Sequence, residues 1–284
     1  MKESTFLFPP PCSRTIFYSI IHIVHGTLLP HATTSQFVRG DDLMETYQEF
    51  LDRIYSFEKK EIHYGDSYFH GNPSISLKVN KDNSFQNFYG DTIVFALADA
   101  VKEALSRIVE TLYQSAPECF CERLVPDTFH VTLHDLGNSP VLRDVAEEVF
   151  ENELNVIRQK QTGAIQKLAN TSIRLKSTYL FNMVDTSLVL GLFPADEDTY
   201  HRLMGLYSMF DSVKKLNYPF TPHITLAYYN VHGFDSHAAR ILENTVNELN
   251  QKIDIELNVH SLYYQKFKSM NEYIDVICLG AVGK

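Results

Sequence analysis

Positive charge is in short supply in this chain. Its 25 lysines and arginines are outweighed by 35 aspartates and glutamates, a formal net charge of −10. Sequence-independent binding to long nucleic acid needs many cations on phosphates. That class is set aside, as is a membrane-surface role, whereas a small nucleotide or an RNA end in a local pocket fits. Cysteine is scarce too: Cys12, Cys119, Cys121 and Cys278 fit no zinc framework. Cys119 and Cys121 are also too close for a routine structural disulfide. Reduced thiols in a cytoplasmic protein are expected. Long apolar runs are missing. The stretch Thr15–Leu29 falls short of a membrane span, and His22 and His25 interrupt it. Pro9, Pro10 and Pro11, with no small-residue cleavage site, argue against a signal peptide. Residues 1–40 read as an extension, expected to be dispensable for folding and activity. No segment is of low complexity.

What is present is one short pattern written twice. "PDTFHVTLHD" (Pro126–Asp135) and "YPFTPHITLAYY" (Tyr218–Tyr229) both hold His-x-Thr-Leu with a β-branched residue at x. Alternate residues of a strand share a face. His130 and Thr132 therefore point one way, and Phe129, Val131 and Leu133 the other. His223 and Thr225 likewise oppose Ile224, Leu226 and Tyr228. Two such fronts, meeting, supply a general acid, a general base and two hydroxyls for an anion. The same spacing at His25–Thr27 and His31–Thr33 lacks a strand context.

The order of elements is also duplicated. Helical periodicity covers residues 41–60, with Asp41 or Asp42 as cap, 98–114, 139–160, 196–215 and 236–252. Ser139 reads as an N-cap with Pro140 in the first turn. "SISLKV" reads as a strand followed by a turn at "NKDNS". "DTIVFAL", "SIRLKSTYLF", "TSLVLGLF", "DIELNVHSLYYQKF" and "EYIDVICLG" read as further strands. Strand, helix, His strand, helix, strand thus occurs twice, as expected of an α+β protein of two similar lobes. We expect one bilobal domain over 41–284, with lobes of roughly 70–170 and 171–284 and strand exchange possible.

The paired His-x-Thr-Leu strands in repeated lobes resemble the two-histidine (2H) phosphoesterase superfamily, in its bacterial-type branches, over roughly residues 70–284. "GNPSISLKVNKDNSFQNFYGDTIVFAL" is also similar to the segment before the first motif there. The resemblance implies two antiparallel-sheet lobes with helices outside and a central cleft. It further implies metal-independent cleavage or ligation of phosphoesters: 2′,3′-cyclic phosphates, 2′-5′ linkages and related cyclic nucleotides. His130 and His223 match the acid/base pair, and Thr132 and Thr225 the phosphate-holding hydroxyls. Which histidine is the acid stays open, because substrate orientation decides it.

Beyond the motifs, Tyr263 or Tyr264 could contact the substrate by stacking a base or binding phosphate, and Lys266 and Lys268 could add charge. His134 reads as structural. No metal ligands or cofactor are expected: clustered His/Asp/Glu spacing is missing, and His63 and His70 beside Asp66 make a poor site. A monomer is expected. The competing reading is a nucleotide- or phospho-ligand-binding module without turnover on the same fold.

Overall fold

The computed structural model describes residues 45–57, 68–139, 143–249 and 252–281. The extension at 1–40, Asp41, Asp42, His63 and Pro140 lie outside them. Helix α1 (Tyr47–Ser56) opens on a capping box. The Thr46 hydroxyl accepts from Glu49 N, and the Glu49 carboxylate accepts from Thr46 N. Phe50 and Ile54, four apart, form its buried stripe.

The strand expected at "SISLKV" is instead a 3₁₀ turn, Pro73–Leu77. Pro73 suits a first helical position, and the Asn72 side chain accepts from Ser74 N at 3.0 Å. Alternation alone could not reveal that local cap. The turn expected at "NKDNS" is present, closed by Asn80 N donating to Ser84 O with Asn83 at φ 64°.

The remaining elements are β1 (Tyr68–Phe69), β2 (Tyr89–Ala96), α2 (Asp99–Ser115), β3 (His130–Ser139), α3 (Arg143–Lys160) and α4 (Thr162–Gln166). They continue with β4 (Ser172–Met183), β5 (Ser187–Pro194), α5 (Glu197–Ser208), β6 (His223–Tyr228), β7 (Phe234–Asp235) and α6 (Ser236–Leu249). The chain closes with β8 (Asp254–Asn258), β9 (Leu262–Ser269) and β10 (Glu272–Cys278). Ser139, read as a helix cap, is the last residue of β3.

Two four-stranded antiparallel sheets organise these elements, in the orders β10-β9-β2-β3 and β6-β5-β4-β8. The stretch "DIELNVHSLYYQKF" is two strands rather than one. A 3₁₀ turn at Val259–Ser261 breaks it, leaving β8 in the second sheet and carrying β9 to the first. The first sheet is built from 89–139 and 262–278, the second from 172–258. Helix α1 crosses the other way. Tyr47 Oη donates to Pro194 O on β5, and Arg53 donates to Phe220 O ahead of β6. Each end of the described chain thus packs beside the other half.

The apolar edges of β2, β3, β5 and β6 form the core, with Ile93, Phe95, Val131, Leu188, Leu190 and Ile224 all inaccessible or nearly so. Cys119 and Cys121 are buried free thiols, each pushed up to about 12 by burial. Among the described residues no helix is long and apolar enough to cross a membrane.

One polar group sits inside this core. Asp91 accepts from Tyr264 Oη and from Gly137 N, both at 2.6 Å, and meets the Glu153 carboxyl. Burial first, then the neighbouring charge of Glu153, pushes Asp91 up to about 9 from an ordinary 3.8. The folded chain thus keeps a proton that the unfolded chain releases near 3.8. Stability contributed by this group falls as pH rises from about 4 to about 9. Asp91→Asn, which cannot ionise, is expected to flatten that slope in thermal melts at pH 6 and pH 9. Parallel losses in both proteins would place the source elsewhere.

Candidate active site

Each His-x-Thr strand alternates as its sequence demands. Phe129, Val131 and Leu133 are buried, at 2%, 0% and 1% exposure, whereas His130 and Thr132 are half-buried. In the second copy Ile224 and Leu226 are buried, and His223 and Thr225 are half-buried.

The duplication extends to the hydrogen bonds. His130 Nδ1 lies 2.7 Å from Thr128 O, and His223 Nδ1 lies 2.8 Å from Thr221 O. A carbonyl only accepts, so each neutral imidazole carries its proton on Nδ1 and keeps an open lone pair on Nε2. The repeated unit is therefore Thr-x-His-x-Thr-Leu. Thr128 and Thr221 stand two residues upstream of the histidine in both copies. Their hydroxyls fold back onto Val125 O and Pro219 O, fixing the turn that delivers each histidine. Opposite the histidines stand small residues, Ala96 and Gly191.

Both copies also carry a β-bulge at the same place. On β2, Val94 pairs with Thr132 and Ile93 with His134, leaving Leu133 as the extra residue. On β5, Val189 pairs with Thr225 and Leu188 with Ala227, leaving Leu226 extra. A bulge shifts every later side chain to the other face. His134, which simple alternation puts beside His130, is turned into the core at 1% exposure, against Tyr207 and Phe210. Asp135 comes onto the His130 face instead, because its partner Thr92 stands two residues from Val94. Tyr228, expected to face inward with Ile224, is moved onto the His223 face in the same way.

The two faces meet. Strands β3 and β6 lie side by side although they belong to different sheets. The imidazoles are close enough that charge on His223 disfavours charge on His130. Burial is the larger cause and lowers both, His130 to about 4. Asp135 pulls the other way on each. Its Oδ2 accepts from Tyr218 Oη at 2.7 Å. Tyr273 of β10 packs its ring 5.1 Å from that of His130. Lys78, at the end of the 3₁₀ turn, lays its ammonium 5.2 Å from the centre of the Tyr228 ring.

Other expected contacts are placed differently. Tyr264 is a core residue with no exposed surface, its hydroxyl spent on Asp91 and Phe150 O. It cannot touch a substrate without unfolding β9. Tyr263 shares a cross-strand row with Thr132 through Val94, two strand spacings away, or about 10 Å. Its hydroxyl is turned to Cys278 at the sheet edge. Lys266 is paired with Glu147 and Glu151, and Lys268 with Glu272, so neither is a spare charge. Tyr273, Asp135, Tyr218 and Lys78 stand at the site instead. Nothing in the repeat marks them: Lys78 and Tyr273 lie outside both stretches, Tyr218 has no tyrosine counterpart in the first copy, and Asp135 needs the bulge. A surface hollow of about 590 Å³ between α5 and the α4–β4 connection contains no motif residue. Among the described residues no three His, Cys, Asp or Glu side chains converge as a metal site.

No protein-family model matches the sequence, and no curated protein matches it. Solved structures do. A conserved protein of unknown function from Agrobacterium tumefaciens superposes with a TM-score of 0.56 at 12% identity, over 79% of this chain and 98% of that one. TT0787 of Thermus thermophilus gives 0.42 at 16% identity, over 66% and 95% of the two chains. LigT from E. coli, crystallised with NADP+, gives 0.37 at 16% identity, over 67% and 96%. The Agrobacterium likeness is one of fold: an arrangement of helices and antiparallel sheets shared over nearly the whole of that protein.

Proposed function

We propose that this chain is a metal-independent phosphoesterase of the two-histidine type, cleaving a cyclic or 2′-5′-linked phosphodiester in a cleft between its two His-x-Thr faces. One observation carries the reading: two imidazoles on adjacent strands, each held through Nδ1 by its own backbone and each open at Nε2. A structural histidine in the core spends both nitrogens or is packed away, as His134 is.

The chemistry follows from the charge of the pair. Two cationic imidazoles disfavour one another, so the pair holds a single proton most readily. The neutral ring then takes the proton of the attacking water or hydroxyl, while the charged ring gives its proton to the leaving oxygen. The bound phosphate supplies the negative charge that favours protonation. Thr132 and Thr225, each two residues from its histidine, donate to non-bridging oxygens. Near-symmetry leaves the direction of attack to the substrate. A small nucleotide or RNA end is the matching partner for a chain of net charge −10.

The pH profile tests this before any mutation is made. Because both histidines of the free protein sit below 6.5, kcat/KM is expected to be bell-shaped with its maximum on the acid side of 6.5. The limb that His130 governs should lie near 4. A panel of 2′,3′-cyclic nucleotides and 2′-5′ and 3′-5′ oligonucleotides, followed by phosphorus NMR with and without EDTA, identifies the linkage. Turnover that survives the chelator supports the proposal. Binding without turnover across the panel would favour the binding-module reading.

A further inference from the structure

Among the described residues Lys78 has no ion-pair partner, in a place where burial disfavours its charge and only the more distant Asp135 favours it. Its backbone is rigid: N donates to Ile75 O and O accepts from Gln86 N, at 2.9 and 3.0 Å. The turn that follows is tied to both motif strands. Asn83 O accepts from Glu122 N, ahead of β3, and Asn83 Oδ1 accepts from Val231 N, beyond β6. The side chain runs between aromatic rings, with Nζ 5.4 Å from the centre of Phe88 and 5.2 Å from that of Tyr228. Tyr228 is the residue that the second bulge puts on the His223 face, so the ammonium lies on that face too. Among the described residues no carboxylate is within 4.0 Å of it. The nearby Asp135 is turned to Tyr218. Half-buried charges are ordinarily paired, and here the missing partner is an anion.

Resting on the phosphoesterase reading, we propose that Lys78 is a substrate-binding residue whose ammonium holds a non-bridging oxygen of the scissile phosphate, beside Thr132 and Thr225. It supplies the positive charge that an overall acidic chain otherwise withholds from this site. It also acts on His223, whose protonation it disfavours. An anion between them relieves that opposition, so that phosphate binding and proton uptake by the histidine pair go together.

The test uses the full chain and inorganic phosphate as probe, by calorimetry at low salt and pH 6. Lys78→Met, which keeps the apolar stem, is expected to weaken phosphate binding by roughly 10- to 100-fold, the worth of one charge-assisted hydrogen bond. Lys78→Arg should recover most of it. In Lys78→Met the limb of the kcat/KM profile that His223 governs should move to higher pH, because His223 loses a neighbouring cation; a merely structural lysine would not move it. Phosphate affinity equal to wild type in Lys78→Met would overturn the proposal. Should that variant fail to fold, the wild-type Lys78 Nζ resonance decides: it shifts on adding phosphate if the proposal is right, and its silence overturns it. Phosphate binding through Lys78 with no turnover of any diester would sink the phosphoesterase reading and leave Lys78 as the phosphate ligand of a binding module. Turnover with an indifferent Lys78 would do the reverse.

Discussion

Replacing either His130 or His223 by alanine is expected to slow hydrolysis of a 2′,3′-cyclic nucleotide by about 10²–10⁴-fold. On the proposed mechanism each substitution removes a proton carrier, one whose Nδ1 is already anchored to a backbone carbonyl. Residues that act as a unit are not additive, so the double variant should be little worse than the poorer single one. Thr132→Val and Thr225→Val should be milder, since acid–base chemistry survives the loss of one phosphate hydrogen bond. All four side chains are half-buried on strands whose other faces hold the core, so folding should be retained. Full activity in either single histidine variant would defeat the two-histidine mechanism, whatever the fold.

The second large effect comes from a residue outside the site. A Cβ on Gly90 would collide with the Cζ edge of the ring of Phe267, its cross-strand partner. That ring stacks on Phe88 and packs at a tilt against Tyr273, and Tyr273 in turn packs against His130. Gly90→Ala therefore disturbs a chain of aromatic rings that ends on the His130 imidazole. Overpacking of this kind costs about 1–3 kcal/mol of stability. A displacement near 1 Å at the histidine costs up to ~10²-fold in rate. The expected result is a lowered Tm together with a lowered kcat/KM. Phe267→Leu, which opens space at the collision, should recover both in the double variant, a coupling that independent sites would not show. A Gly90→Ala protein with unchanged kinetics would mean that the position of Tyr273 is immaterial to His130.

The sequence by itself determined the alternation of the two His strands and the buried helical stripes, because period-2 and period-3.6 patterns are local properties of a chain that must hide one face. It determined, too, that His130 and Thr132 share a side, as do His223 and Thr225. It could have shown Thr128 and Thr221 as part of the repeat. Tertiary structure alone decided the rest. Leu133 and Leu226 look like ordinary inward residues, and only their pairing with β2 and β5 reveals the bulges that bring Asp135 and Tyr228 to the site and send His134 away. Tyr263 and Tyr264 are adjacent in sequence, yet the first lies toward a sheet edge and the second on a buried carboxylate, a difference set by what lies across each face. Lys78 carries no motif. Its placement follows from a turn tied to both halves and from two rings that meet only when the sheets do. Register and long-range contact are properties of pairs of segments. A single strand read alone shows which side chains share a face, but not what that face will meet.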